Sequence, residues 1–440
     1  MDLSNKFPYQ ANKHALKNEG SNLVPYFNET SSEADGDGKV NKKIKDDTPV
    51  RVLHLIDRIT GYGTTRLLWD IVRLTPPDKV KHLVISFSPD KGKWITADLL
   101  REKGAYGQVP KRRILKLLDR WSLTWFLGRY ISTIWHVCKA LIWFRPDIIN
   151  VHTTYALTIG VPLKVLLRRP VVHLVPSLFS QMVDEGKPWV PRLYARFHGL
   201  FDCFFTAASR CQDELHAVGI PNSKIVPLRG ILDLEEINKI RHKREQFHKT
   251  IRENYHLPSD AFIALSVGRL DSSKGHIYAL EALSSLVQQF PKLYWLLVGD
   301  GKQRAELENR AKDLGTYTHM HLVGYQDDLL PYYAAATMFL RTMIFEETNL
   351  STYKAMAMGL PIIGFDTGCE TELLKTVGHG ILVPNKSVAG LSAAVAQILT
   401  LPDHGRELGG RGIEFCQANL DIRLGIEDIT AVYKKLRDGG

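Results

Sequence analysis

Phe345 to Glu372 reads FEETNLSTYKAMAMGLPIIGFDTGCETE. An acidic pair, Glu346 and Glu347, opens the stretch, and Asn349 caps a helix predicted through Met358. Gly359-Leu360-Pro361 ends that helix, because Gly suits the position past the last turn and Pro cannot continue it. Ile362 to Phe365 is a buried-strand run, and Asp366-Thr367-Gly368 turns the chain into a polar loop that reaches Glu372. A helix N-terminus offers unpaired N–H groups and a positive dipole end, so an acceptor-rich ligand is favoured there.

The same alternation extends outward. Upstream lie the apolar strand Phe262–Val267, the loop Gly268-Arg-Leu-Asp-Ser-Ser-Lys-Gly275 and a helix over His276–Gln289. Strand Tyr294–Val298, helix Gln303–Leu314, strand His319–Val323 and helix Leu329–Ala335 follow. Strands alternating with helices at this spacing predict a parallel sheet covered on both faces. The first half opens with strand Arg51–Ile56, a loop bearing Gly61 and Gly63, and helix Thr65–Leu74, the first unit of a doubly wound sheet. Its further strands are predicted at His82–Ser86, Ile148–Val151, Val171–Val175 and Phe201–Ala207. Leu234–Tyr255 reads as one helix leading into the second half. The expected division is a disordered tail over 1–48, a first domain over 49–232, a connecting helix over 233–260, a second domain over 261–418, and a returning helix over 419–440.

Bulk properties narrow the class. The chain has 440 residues and an apolar share of 44%, which fits two α/β domains with sizeable cores. Its five cysteines form no C-x-x-C pair and read as thiols of a reducing compartment. No early apolar run resembles a signal peptide, and no stretch is long and apolar enough to predict a membrane span, so the expected location is the cytoplasm. The net charge of +10 is concentrated: residues 101–200 carry sixteen Lys/Arg against five Asp/Glu. Residues 111–145 are basic and hold four of the eight tryptophans, among them Trp121 and Trp125 on one helix face. For 111–127 the readings are a helix at an anionic membrane surface or a core helix. Tyr130–Phe144 reads as core. No nucleic-acid reading motif accompanies the charge.

Glu346 and Ala355-Met-Ala-Met-Gly-Leu-Pro361 resemble the signature of retaining GT-B glycosyltransferases of family 4, in which an acid-x7-acid motif leads into AMAxGLP. Gly268-Arg269-Leu270 with Lys274-Gly275 is similar to that family's diphosphate clamp. The resemblance covers about residues 50–435 and implies a GT-B architecture, two doubly wound Rossmann-like domains facing a central cleft. It implies a nucleotide-sugar donor held by Arg269, Lys274, Asn349, Leu350, Ser351, Lys354 and Glu372, with Glu346 near the reacting sugar. It implies a lipid-linked or membrane-proximal saccharide acceptor, met from the first domain near Gly61, Gly63 and His152. No metal or other cofactor is expected.

One position departs from the pattern. The family's second glutamate, which accepts hydrogen bonds from ribose hydroxyls, falls on Lys354, and an ammonium donates but cannot accept. Other groups could hold the ribose, the donor could be unusual, or the domain could bind without efficient transfer; a surface lysine without a role is the fourth reading. On residue chemistry alone, Arg269 and Lys274 also suit a solvated loop, Gly61 and Gly63 a structural turn, and His152 a satisfied core histidine. A sugar-nucleotide epimerase and a non-catalytic glycan- or nucleotide-binding domain are the competing classes.

Overall fold

Near-continuous apolar runs make strands that are buried on both faces, and the chain builds two sheets from them, with parallel pairing throughout. In the computed structural model the described residues are 48–57, 63–86, 106–108, 137–153, 162–164, 168–175, 179, 189–206, 209–344, 350–367 and 374–439.

The first sheet contains β1 (Val50–Ile56), β2 (Val80–Ser86), β3 (Tyr106–Gln108), β4 (Ile148–Val151), β5 (Val171–Leu174), β6 (Cys203–Thr206) and β7 (Ile225–Pro227), in the order β3-β2-β1-β4-β5-β6-β7. Helix α1 (Gly63–Leu74) packs on one face. Helical residues 137–143, α2 (Trp189–Phe197) and α3 (Ser209–Ala217) send Val137, Val190, Tyr194 and Leu215 into the core on the other. The chain then forms α4 (Leu234–His242) and α5 (Arg244–Asn254). The single helix predicted over 234–255 is thus broken at Lys243, and the break lets Arg244 donate to the carbonyls of Ala334 and Ala336.

The second sheet comprises β8 (Phe262–Val267), β9 (Leu293–Val298), β10 (Met320–Gly324), β11 (Met338–Arg341), β12 (Ile362–Phe365) and β13 (Gly380–Val383), in the order β10-β9-β8-β11-β12-β13. Its helices are α6 (His276–Ser284), α7 (Arg304–Asp313), α8 (Leu330–Ala335), α9 (Leu350–Met358), α10 (Val388–Thr400) and α11 (Arg406–Asn419), and α12 (Ile422–Asp438) follows them. The short α9 carries the AMAM run, and all four residues are buried. It is covered by α4 and α11 as well as by its own sheet, so no polar stripe is left. Gly359 ends it in the left-handed region at φ 78°, and Gly409 of α11 lies so close that an added Cβ would sit 2.0 Å from the Gly359 carbonyl oxygen.

The two halves are joined by two backbone crossings that touch. The Ile231 and Leu232 amides donate to the Leu420 carbonyl at 3.2 and 3.0 Å, and the Ile422 amide returns to the Leu232 carbonyl at 2.8 Å. Glycine makes the approach possible: a Cβ on Gly230 would lie 1.8 Å from the Asp421 carbonyl oxygen, and one on Gly425 would lie 2.4 Å from that of Gly230. Beyond the crossing, α12 packs against α1, β1 and β4 of the first sheet, and Tyr433 accepts a 2.6 Å hydrogen bond from Asn150 of β4. Gly230→Ala is therefore expected to destabilise the fold by about 3 kcal/mol or more, since the obstacle is backbone and not a movable side chain. A urea midpoint close to wild type would show that the crossings can separate at little cost.

Candidate active site

In doubly wound sheets, ligands bind beyond the carboxyl ends of the strands, where the strand order reverses direction. In the second sheet that place lies between β8 and β11. The loop after β8 carries Arg269 and Lys274, and the chain after β11 leads to the N-terminus of α9 at Leu350 and Ser351. Hydrogen bonds join the two connections: the Thr342 hydroxyl donates to the Lys274 carbonyl at 3.0 Å, and the Ile344 amide donates to the Ser273 carbonyl at 3.1 Å. Gly275, at φ 62°, packs where a Cβ would fall 2.1 Å from the Thr342 carbonyl oxygen. Asp271 tightens the loop by accepting from the Ser273 amide at 3.1 Å.

The two cations differ in setting. Lys274 is only 9% exposed, with its aliphatic stem against Gly268. Arg269 is half exposed and pairs with Asp271 at 3.3 Å. A buried arginine, Arg341, ends β11 and donates to the Thr367 hydroxyl at 3.1 Å, tying the ends of β11 and β12 together. Sequence reading did not find Arg341, because its strand is four residues long and was not recognised. The structure thus brings Arg269, Lys274, Leu350 and Ser351 to one edge. Glu346, Asn349, Glu372 and Gly61 lie outside the described residues, as does the whole of 111–127; Gly63 starts α1.

Lys354 is half-buried and faces the seam between the halves. It lines a cleft with Arg66 and Asp70 of α1, Asp233 and Glu236 at the start of α4, and Asp328 before α8. Burial lowers its pKa first, the Arg66 charge lowers it further, and Asp70, Glu236 and Asp328 oppose the shift. The reading of a surface lysine without a role is therefore corrected: this ammonium is the second domain's cation in an acidic cleft. Around it, Arg66 pairs with Glu236 at 2.9 Å and Arg73 with Asp233 at 2.5 Å, so α1 is tied to α4.

His152, expected at a strand end facing the cleft, is completely buried. Its Nε2 lies 2.8 Å from His54 Nδ1, and His54 Nε2 lies 2.8 Å from His82 Nδ1, so three rings form a chain across β4, β1 and β2. Each bond uses a lone pair that a metal would need, and among the described residues no group of three or more His, Cys, Asp or Glu could hold a metal ion. His173, on the other face, places Nε2 2.5 Å from the Tyr194 hydroxyl. Burial lowers His54, His82, His152 and His173, with His82 and His173 brought to about 4 and His152 to about 3.

Two expectations follow from these charges. Lys354→Glu would set a fourth carboxylate among Asp70, Glu236 and Asp328 and remove their cation, lowering stability by about 1–3 kcal/mol. Lys354→Met, which removes the buried charge without adding another, should cost less; a more stable Glu variant in thermal melts would contradict this. For the histidines, the unfolded chain takes up protons below about pH 6.5 that the folded rings refuse until about pH 4. Their contribution is intact above pH 6.5 and is lost as pH falls toward 4. Urea midpoints should decline across that window, with a shallower decline in His82→Gln, and a flat profile would contradict the neutral chain.

Comparison with known proteins agrees with this geometry. The family model for glycosyl transferases group 1 matches residues 247–415, and that for glycosyltransferase family 4 matches residues 93–236. The chain is 28% identical over 179 residues to a lipopolysaccharide core biosynthesis glycosyltransferase, LpsE, of Rhizobium meliloti, covering 41% of this chain and 50% of LpsE. It is 26% identical over 268 residues to the amylovoran biosynthesis glycosyltransferase AmsK of Erwinia amylovora, covering 58% of this chain and 62% of AmsK. The matches thus span less than two thirds of either relative. Among solved structures, Anabaena HepE in complex with UDP and glucose superposes with a TM-score of 0.71 at 17% identity, over 87% of this chain and 99% of HepE. The chain belongs to the group 1 glycosyltransferases and has their GT-B fold.

Proposed function

We propose that this protein is a retaining glycosyltransferase that moves a hexosyl group from a nucleotide-sugar donor to a lipid-linked or membrane-proximal saccharide acceptor in glycan or polysaccharide assembly. The observation that carries the reading is the convergence of Arg269, Lys274 and the N-terminus of α9 at the switch point of the second sheet. Support comes from the similarity to LpsE and AmsK, and from the UDP and glucose bound by HepE.

The chemistry follows from charge. Breaking the bond between sugar and diphosphate leaves negative charge on the leaving oxygen. Fixed cations and N–H dipoles aimed at that oxygen lower the barrier, each by on the order of 3–4 kcal/mol. Lys274, held against Gly268 with little freedom, supplies a charge that needs no rearrangement. Arg269, more exposed, exchanges its bond to Asp271 for the incoming phosphates. The α9 N-terminus adds the dipole. In this proposal the protein's cations compensate the diphosphate without a bound metal, Glu346 lies against the reacting sugar, and Asn349 and Glu372 complete the donor site. A peripheral site of action in the cytoplasm, at the inner face of a membrane, belongs to the same proposal.

The competing reading, a domain that binds nucleotide or glycan without transfer, rests on Lys354. Donor-dependent release of nucleoside diphosphate separates the two. Arg269→Ala and Lys274→Ala should each reduce turnover by roughly two to three decades while the thermal transition stays in place. Wild-type turnover in both variants would remove the diphosphate assignment.

A further inference from the structure

The opposite edge of the first sheet has a different character. Where the chain enters β4, β5 and β6, it presents Trp143 and Arg145, then Arg168 and Arg169, then Arg196 and Phe197. These strands are consecutive neighbours, so the three entries fall within about 10 Å across the sheet. Large apolar side chains stand out of the surface here: Ile142 is 76% exposed, Trp143 72% and Phe197 39%. Arg145, Arg168, Arg169 and Arg196 are all exposed, and Lys139 beside them makes five cations.

The negative charges described at these three entries are already matched. Asp147 pairs with Arg51 at 2.9 Å, and Asp202 pairs with Lys164 at 2.5 Å while accepting from the Val171 amide. Lys224 is drawn in to the carbonyls of His198, Gly199 and Phe201, which shapes the turn before β6. Arg145 and Arg168 stand in the left-handed region at φ 48° and 51°, just past helical turns where glycine would be at ease. Arginine there bears backbone strain and leaves a cation at the edge.

We propose that this amino-terminal edge is a docking surface for an anionic lipid bilayer, with Ile142, Trp143 and Phe197 entering the interface and Arg145, Arg168, Arg169 and Arg196 meeting headgroup phosphates. Charge selects the partner, because a row of arginines with no acidic partner among the described residues calls for a dense anionic surface. The exposed aromatics select a bilayer over a purely polar polyanion, since tryptophan and isoleucine side chains gain from entering the headgroup boundary. The residues named do not include 111–127, and the proposal rests on no property of the donor site.

The test is flotation of the full chain with vesicles of phosphatidylcholine alone or mixed with phosphatidylglycerol, at low and high salt. Binding is expected only to the mixed vesicles and should weaken as salt rises. Arg168→Gln with Arg169→Gln should weaken it on the order of thirtyfold, and Ile142→Ser with Trp143→Ser by about tenfold or more. Thermal melts and nucleoside diphosphate titration should be unchanged in both variants, which keeps this result separate from the fate of the donor reading. The proposal is overturned if the wild type ignores anionic vesicles, or if both variants bind them as well as the wild type does. It is also overturned if only Trp121→Ala with Trp125→Ala abolishes binding. Equal binding to duplex DNA that is indifferent to Ile142 and Trp143 would identify a general polyanion surface instead. Loss of self-association in the serine variant, with vesicle binding intact, would identify an interface between copies.

Discussion

The contact between the two backbone crossings sets the frame for everything else. Amide to carbonyl bonds between 231–232 and 420–422 need the strands of chain to approach without side chains, and Gly230 and Gly425 supply that. Once the crossings are locked, α12 has one way to return, and Tyr433 reaches Asn150 inside the first domain. The arrangement fixes which edges of the two sheets oppose each other. Helices α1, α4 and α9 are brought to a common seam as a result, and Lys354 meets Asp70 and Glu236 there.

That seam explains why a single departure from the family pattern carries so much meaning. A glutamate at 354 would join Asp70, Asp233, Glu236 and Asp328 in one cleft. Arg66 and Arg73 are already engaged with Asp70, Glu236 and Asp233, so they are poorly placed to neutralise another carboxylate. A lysine balances the cleft instead, at the expense of desolvating an ammonium. The residue is therefore fitted to the electrostatics between the halves, whatever it also contributes to a ligand.

Much of this was legible in the sequence, for definite reasons. Ile362–Phe365 was read to the residue because Pro361 and Asp366 bound an uninterrupted apolar run. The fold class followed from the alternation of such runs with helices. The glycine loop after β8 was readable because Gly268, Lys274 and Gly275 are adjacent in sequence as well as in space. Tyr106–Gln108, Met338–Arg341 and Gly380–Val383 were not recognised as strands, since each is short and contains a Gly or an Arg (Gly107, Arg341, Gly380) that breaks the apolar run, and β3 and β13 sit at sheet edges. Nor could the sequence show that His54, His82 and His152 form one chain. They come from three strands, and only the register of β2, β1 and β4 aligns their rings. The neighbours of Lys354 were hidden in the same way, being contributed by α1, α4 and the turn before α8.

Parallel sheets have ends that differ in polarity. At the carboxyl ends, helix N-termini and short glycine turns leave N–H groups facing outward, which suits phosphate and hydroxyl ligands. At the amino ends, helices arrive with their carbonyl ends, where the dipole favours cations. Arg145 follows helical residues 137–143 and Arg196 lies in the last turn of α2, so the fold itself helps to hold positive charge on this edge. A basic amino-terminal edge on the first sheet and helix N-termini at the carboxyl edge of the second are thus two consequences of one strand direction.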